Sequence, residues 1–534
     1  MKWIKDAFFD FDHKMENIIH YKGISGKKAN LIFLIILILT AVARLLIIDT
    51  PPLDRTEWKE IDYLAISDNY YHNGFNFLKP EVSWPAEPPR VTAMELPIVP
   101  YFASLLYLVF GQNVYSVRLT TFLAYLMLSV FSYKLVKRES GTVLALTTAL
   151  FVGIFPLGSF YRNYLFSEPV MIFFSVFSIY QFAQWIDYRK KINLVFFIIG
   201  FSLALSLKPT SLYLALPLLW IYFRKYRFEF KKYVGLFMPI AASMILPLLW
   251  YIYAYHLSKN SIDVFGVFGG KFGGHNKFQT IAMLSTLDWY IEIYARLRRM
   301  LLGNAGLLMM ALGVFIALFY KKGGLFIAYL LAIGCFFIIV AEGNYDTHYR
   351  QLTIIPSAAY FVSLGTIGFG IMIYNMALKI KRIDPKRAKF MSILGCIAIL
   401  AIAPVSKPER YLPRDKSMPS HQPEWILARE INQLAPGAAR IIMTGAYTIH
   451  KGGNDLSPVI YHYSGLQGWS IQAGEWNEQV IDELKGKGAT LLGALYYKRE
   501  PGLEKFLSTL SHKYEVLYVN PEKQLMLISL EEEQ

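Results

Sequence analysis

Long apolar runs, each closed by a short polar or basic segment, dominate the chain from residue 31 to residue 404. Eleven of them read as membrane crossings, because about 20 helical residues span a hydrocarbon core roughly 30 Å thick. They are 31–48, 114–133, 142–157, 170–185, 194–207, 211–223, 234–255, 307–320, 325–340, 352–376 and 390–404. The runs at 194–207 and 211–223 are short enough to be re-entrant, and the expected total is eleven to thirteen. The run 97–110 is apolar as well, but it is short, contains Pro100 and stops at Gly111. It reads as a helix lying in the outer interface.

Topology follows from where the cations fall. Lys2, Lys5, Lys14, Lys22, Lys27 and Lys28 precede the first run, which puts the N-terminus in the cytoplasm. With 97–110 kept out of the count, the clusters at Lys134–Arg138, Arg189–Lys191, Arg224–Lys232, Lys321–Lys322 and Lys379–Lys389 are all cytoplasmic too. The polar segments at 54–100, 158–169, 256–299 and 341–350 then lie outside. The first 28 residues show no compact apolar core with a cleavage site, so no signal peptide is expected.

Beyond residue 405 the period changes. Segments 422–434, 478–488 and 501–514 carry a helical pattern, and 439–445, 489–497, 514–520 and 524–530 read as strands. The expected architecture is a polytopic α-helical membrane protein with a C-terminal extracytoplasmic α/β domain. Residues 1–28 form a cytoplasmic segment, 29–405 the transmembrane domain with its external loop 49–113, and 406–534 the soluble domain.

Composition narrows the function classes. The chain of 534 residues is 54% hydrophobic and 17% charged, which suits a lipid environment. Its net charge of +15 comes from cations scattered at the ends of apolar runs. Nucleic-acid binding needs one contiguous basic face, so no nucleic-acid partner is expected. Cys335 and Cys396 both sit in apolar runs and provide no disulfide framework or metal spacing. No GxGxxG or P-loop occurs, and no nucleotide cofactor is expected. A flippase would place ionisable groups at the bilayer midplane within repeated halves. Here the ionisable groups sit mainly in outside loops, and no repeat is evident.

The external segment 54–100 concentrates carboxylates, aromatics and prolines. If 57–71 is helical, Trp58, Asp62 and Ala65 share one face, and Asp62 at the membrane surface suits a base for an incoming hydroxyl. Glu57, Glu60 and Asp68 compete with it, and spacing does not choose among them. Glu95, just before the interfacial helix, reads either as a favourable N-terminal charge or as a second carboxylate for a metal or for sugar hydroxyls. Tyr161, Arg162 and Glu168 occupy the next outside loop. Lys208 interrupts an apolar stretch at a membrane boundary, where it either snorkels or serves a site. Lys208, Arg162 and Arg350 are cations suited to a phosphate. His256 ends one span, and His348, Tyr349 and Arg350 end the polar loop GNYDTHYR before another. The Gly- and Phe-rich stretch FGVFGGKFGGHNKF reads as a flap, and LDWYIEIYARLRRML as an interfacial helix.

Taken in order, WKEID, NGFNFLKPEVSW, MELPIVPY, FYRNYLFSEP, LKPTSL and NYDTHYRQLTIIP resemble the GT-C membrane glycosyltransferases. The similarity is to the branch holding the protein O-mannosyltransferases and the lipid A aminoarabinose transferase, over roughly residues 30–375. It implies transfer of a sugar from a polyprenyl-phosphate carrier to a lipid, glycan or protein acceptor, outside the cytoplasm of a plasma (inner) membrane. It implies Asp62 as the catalytic acid–base residue and Glu95 as a metal or substrate contact, with a divalent metal ion as a possible cofactor. Some relatives carry Glu-Lys-Pro where this chain has Glu95-Leu96-Pro97, so Lys208 or Arg162 takes over that phosphate contact. An oligosaccharide ligase or polymerase of the same fold is the alternative enzyme.

Overall fold

The computed structural model of the protein describes residues 2–19, 21, 24–46, 48, 57–84, 86–87, 90–155, 165–259, 267–268, 281–320, 323–380, 383–406, 423–445 and 458–531. The chain divides into two compact units. One comprises 1–48, 118–251 and 275–413; the other comprises 49–117, 252–274 and 414–534.

The first unit is helical. Each of the eleven expected crossings falls on a helix, or on a 3-10 turn that a helix continues. Among the described residues, five helices are long and apolar enough to cross a membrane: Gly26–Leu45, Val114–Ser140, Ser167–Tyr188, Lys231–Ser258 and Tyr349–Leu378. The bent pair Leu287–Arg299 and Gly303–Phe319 adds a sixth if it is one span. The other expected crossings rest on shorter helices, such as Lys191–Leu207, whose 17 residues reach about 26 Å. The chain is a multi-pass membrane protein.

Burial separates rim helices from central ones. The most apolar windows of Gly26–Leu45 and Lys231–Ser258 are 17% and 22% buried, against 72% for Val114–Ser140. Leu39, Val42, Val234 and Phe237 point outward, which lipid tolerates and water does not. With no hydrophobic drive between helices in lipid, association rests on close packing and a few polar contacts. Gly303–Phe319 and Ile355–Leu378 meet backbone to backbone. A Cβ on Gly313 would collide with the Phe361 carbonyl oxygen, and one on Gly365 with that of Met309. Ser202 Oγ donates to the Ser243 carbonyl at 2.9 Å, and the Ser140 and Tyr360 hydroxyls meet at 3.0 Å.

The second unit contains a five-stranded sheet of order β2-β1-β3-β5-β4. Its strands are Arg440–Gly445 (β1), Gln467–Ser470 (β2), Leu491–Leu495 (β3), Val516–Asn520 (β4) and Leu525–Ser529 (β5). The β1–β2 and β1–β3 pairs are parallel, and β3–β5 and β4–β5 are antiparallel. Alternation along β1 feeds two cores. Ile442 packs on one face with Ile481, Leu503, Phe506 and Leu507, and Ile441 and Met443 pack on the other with Ile426, Leu427, Ile431 and Tyr461. The helices Pro423–Leu434, Glu478–Gly486 and Pro501–Ser511 stand where the sequence pattern predicts them. The helix Val459–Ser464 and the strand β2 do not appear in that pattern, because each is too short to show a period.

The segment Pro80–Thr92 is built into this sheet domain. Val82 N donates to Arg90 O at 3.0 Å and Thr92 N to Pro80 O at 2.8 Å, closing a hairpin around a proline-rich tip. Trp84 joins the core on one face of the sheet, and Ala86 joins the core on the other. Glu87 at the tip pairs with Lys487 at 3.3 Å.

Candidate functional site

Glu57–His72 forms a helix, within one residue of the sequence expectation. Its successive residues point about 100° apart, so Lys59, Tyr63 and Asp62 divide between two neighbouring faces. On one, the Tyr63 hydroxyl donates to Glu95 Oε1 at 2.7 Å and Lys59 Nζ lies 3.9 Å from the same oxygen. Lys59 also sits 5.7 Å from the Tyr63 ring centroid. Glu95 is therefore held by a phenol and an ammonium from this helix.

On the adjacent face Asp62 is buried. Its Oδ1 has no hydrogen-bond partner, and neither does the buried Trp84 Nε1. Burial pushes the Asp62 carboxyl from 3.8 up to about 7, and a weak hydrogen-bonding contact from the Trp84 side chain pulls the other way. The competing carboxylates differ. Asp68 accepts a 2.8 Å hydrogen bond from the Tyr107 hydroxyl of the Ile98–Phe110 helix. Glu60 is fully buried. The side chain of Glu57 lies outside the described residues, as does that of Trp58. Asp62 thus combines burial, proton affinity near neutrality and an unsatisfied oxygen.

Trp84, Tyr461 and His462, none of them singled out as a site residue in the sequence, complete these surroundings. Trp84 stacks on Tyr461 of the Val459–Ser464 helix, with ring centroids 6.5 Å apart and planes 16° apart. The same short helix packs on Glu57–His72. It carries His462, whose proton affinity burial lowers while Asp68 and Glu60 oppose that change. In the sequence Trp84 closes the stretch NGFNFLKPEVSW, and nothing there names its partner.

In the first unit, Glu168 opens the Ser167–Tyr188 helix and is 3% exposed. Lys208, the residue after Lys191–Leu207, places Nζ 3.3 Å from Glu168 Oε1. Lys208 is thus drawn into an ion pair. The stretch containing Arg350 is not a loop. It comprises the helix Ala341–Asp346 and the 3-10 turn His348–Ile354. Arg350 Nε donates to Thr347 Oγ1 at 2.9 Å. The guanidinium lies against Gly343, where a Cβ would approach it to 3.0 Å. Tyr349 packs its ring 5.6 Å from Phe166, two residues before Glu168. Tyr161 and Arg162 lie outside the described residues, as do the side chain of His348 and most of the Gly- and Phe-rich stretch. His256, in the second unit, is exposed and meets the Tyr255 ring edge-on at 5.9 Å.

No three His, Cys, Asp or Glu side chains converge among the described residues. Glu95, the expected ligand, is engaged by Lys59 and Tyr63, a cation and a donor that suit a carboxylate but compete with a metal. Among the described residues, this donor set does not fit a divalent ion.

The profile of the dolichyl-phosphate-mannose-protein mannosyltransferase family matches residues 89–253. No curated protein sequence matches the chain. Among solved structures, ArnT from Cupriavidus metallidurans bound to undecaprenyl phosphate is similar with a TM-score of 0.58 at 13% identity, over 95% of this chain and 98% of that one. The Archaeoglobus fulgidus oligosaccharyltransferase in complex with Zn and sulfate gives 0.54 at 13% identity, over 86% and 68%. The same enzyme tethered to an acceptor peptide gives 0.53 at 13% identity, over 92% and 73%. At such identities the likeness is one of fold. It spans both the apolar helices and the small sheet domain, and the chain has the GT-C fold of the membrane glycosyltransferases.

Proposed function

We propose that the protein transfers a sugar from a polyprenyl-phosphate carrier to an acceptor hydroxyl on the extracytoplasmic face, with Asp62 as general base. The observation that carries this reading is Asp62 itself: buried, unpartnered at Oδ1 and raised to about 7 on a fold shared with glycosyltransferases. A general base works best with a pKa near ambient pH. The acceptor oxygen attacks the anomeric carbon while its proton passes to Asp62. The bond from that carbon to the phosphate oxygen breaks, and polyprenyl phosphate leaves with the electron pair. Such a single displacement inverts the anomeric centre.

The lipid carrier is supported by the ArnT structure, which is bound to undecaprenyl phosphate, and by the family profile, whose description names a dolichyl phosphate sugar. Nucleotide sugars are cytoplasmic, so an outward-facing transferase needs a donor delivered by lipid. Lys208 and Arg350 of the first unit are assigned to the departing phosphate, with Arg162 as a further candidate. Fixed cations in a poorly hydrated site stabilise such a leaving group strongly. Glu95 is assigned to orienting Tyr63 and Lys59 beside the base. Glu168, Tyr349, His348, His256 and Tyr161 are secondary candidates for substrate contact. The proposed topology keeps the N-terminus in the cytoplasm and the sheet domain outside, following the distribution of cations.

The test is mass spectrometry of products from the purified full chain given polyprenyl-phosphate mannose and membrane extract. Sugar transfer by the wild type, lost in Asp62→Asn with donor binding intact, is the expected result. Near-wild-type turnover in that variant removes the assignment.

A further inference from the structure

Within the first unit a cleft opens between the helices Ala215–Tyr226 and Gly324–Ile339 and the first turn of Lys231–Ser258. It holds about 400 Å³, which is within the range of small-molecule sites. Its walls are apolar, with Leu216, Leu219, Phe223 and Leu331 beside the rings of Trp220 and Tyr233. Gly324 permits the shape, since a Cβ there would collide with the Trp220 ring that lies against it. Leu219, Phe223 and Leu331 are all exposed, so the cleft opens outward and is not sealed core. A concave apolar surface of this kind in a bilayer takes a hydrocarbon chain.

A basic mouth separates this cleft from ordinary lipid contact. The turn after Ala215–Tyr226 and its flanks carry Arg224, Lys225, Arg227, Lys231 and Lys232 against the one carboxylate Glu229. Arg224 is neutralised by Glu139 at 2.5 Å and Lys232 by Glu229 at 2.6 Å. Arg227 and Lys231 are exposed, and neither has a carboxylate within ion-pair distance among the described residues. The turn is tied to the cleft wall. The Tyr233 hydroxyl donates to the Arg227 carbonyl at 2.7 Å, and Arg227 takes φ 45° to reverse the chain. The Tyr222 hydroxyl donates to the Lys232 carbonyl at 2.5 Å. Two cations without a counter-charge are thus anchored beside a hydrocarbon-lined opening.

We propose that this cleft is a site for an anionic phospholipid, with one acyl chain lying between Trp220 and Leu331 and the phosphate held by Arg227 and Lys231. Arg and Lys hold phosphate oxygens through charge-assisted hydrogen bonds. On the proposed topology the basic turn is cytoplasmic, and anionic lipid on that face of a membrane attracts such clusters. Neither Asp62 nor the cations assigned to the carrier phosphate take part.

The experiment uses the full chain, delipidated in detergent, titrated with phosphatidylglycerol or with phosphatidylcholine of the same acyl chains. Native mass spectrometry counts the bound lipid, and a melting assay follows the midpoint. Phosphatidylglycerol is expected to bind about tenfold or more tighter and to raise the midpoint, since each Lys or Arg near an anionic headgroup contributes about fivefold. Arg227→Gln combined with Lys231→Gln should remove that preference and leave phosphatidylcholine binding as it was. Leu331→Trp, at a position 59% exposed, should fill the opening and weaken both lipids about tenfold. If that variant melts lower without lipid, Leu216→Trp on the facing helix replaces it. Inorganic phosphate, which has no chain for the cleft, should not compete. Equal affinity for the two lipids overturns the site, as does a preference that survives the double charge variant or binding that survives the filled cleft. Displacement of phosphatidylglycerol by polyprenyl phosphate at lower concentration would mark a seat for the carrier's tail, and overturns the phospholipid assignment.

Discussion

Asp62 and Glu168 are both carboxylates removed from water, and they are treated in opposite ways. Glu168 has Lys208 at 3.3 Å and a contact from the Ser167 hydroxyl, so its charge is compensated within the first unit. Asp62, in the second, has an indole beside it and an oxygen with no partner. Burial without a cation disfavours the anion, and burial with one retains it. A carboxylate with its ion pair in place is a fixture. One kept short of partners is available to a proton, and the proposed role of Asp62 rests on that difference.

The largest effect should come from removing the reactive member. Asp62→Asn is expected to lower transfer by about a thousandfold, measured as product formed per enzyme, whereas general-base losses commonly lie at 10²–10⁴. Lys208→Met attacks the other side. It removes the ammonium 3.3 Å from the buried Glu168 carboxylate, and should cost about 3–5 kcal/mol of stability in a detergent melting assay. Adding Glu168→Leu should restore much of it; no recovery would mean that the pair is not what holds that junction.

The same contrast has a pH signature. The folded proton affinity of Asp62 exceeds its unfolded value, so the native state binds the extra proton between about pH 4 and 7 and loses stability as pH rises through that window. Asp62→Asn should therefore melt higher than wild type at pH 8, by about 1 kcal/mol or more, and equal to it near pH 4. Catalysis runs the other way, since the base must be ionised, and the rate should climb with pH up to about 7. The smallest change is Tyr63→Phe. Loss of its bond to Glu95 should cost about 1 kcal/mol, and a shift in the pH–rate profile would show that Glu95 reaches the base.

Much of this was readable beforehand, and for a physical reason. Lipid-facing helices and half-buried strands impose periods on the sequence, so the apolar helices and most of the sheet domain were anticipated. Trp84 was not, because a proline-rich hairpin carries no period and its packing partners come from the far end of the chain. Nor could spacing separate Asp62 from Asp68. The choice is made by Tyr107, which reaches Asp68 from another helix. The stretch GNYDTHYR reads as a loop because it is polar, yet it winds into short helical turns around Arg350 and Gly343.

The hairpin between Pro80 and Thr92 has a consequence for biosynthesis. It leaves the ribosome early, yet the side chains that enclose Trp84 and Ala86 belong to residues 426–530, which are translated last. Until β5 emerges, Trp84 lacks Leu525 and Leu527, two of the side chains that pack with it. A chain stalled before residue 414 carries the hairpin without any of the residues that enclose its tip, so the order of synthesis leaves that tip open until the sheet domain is made.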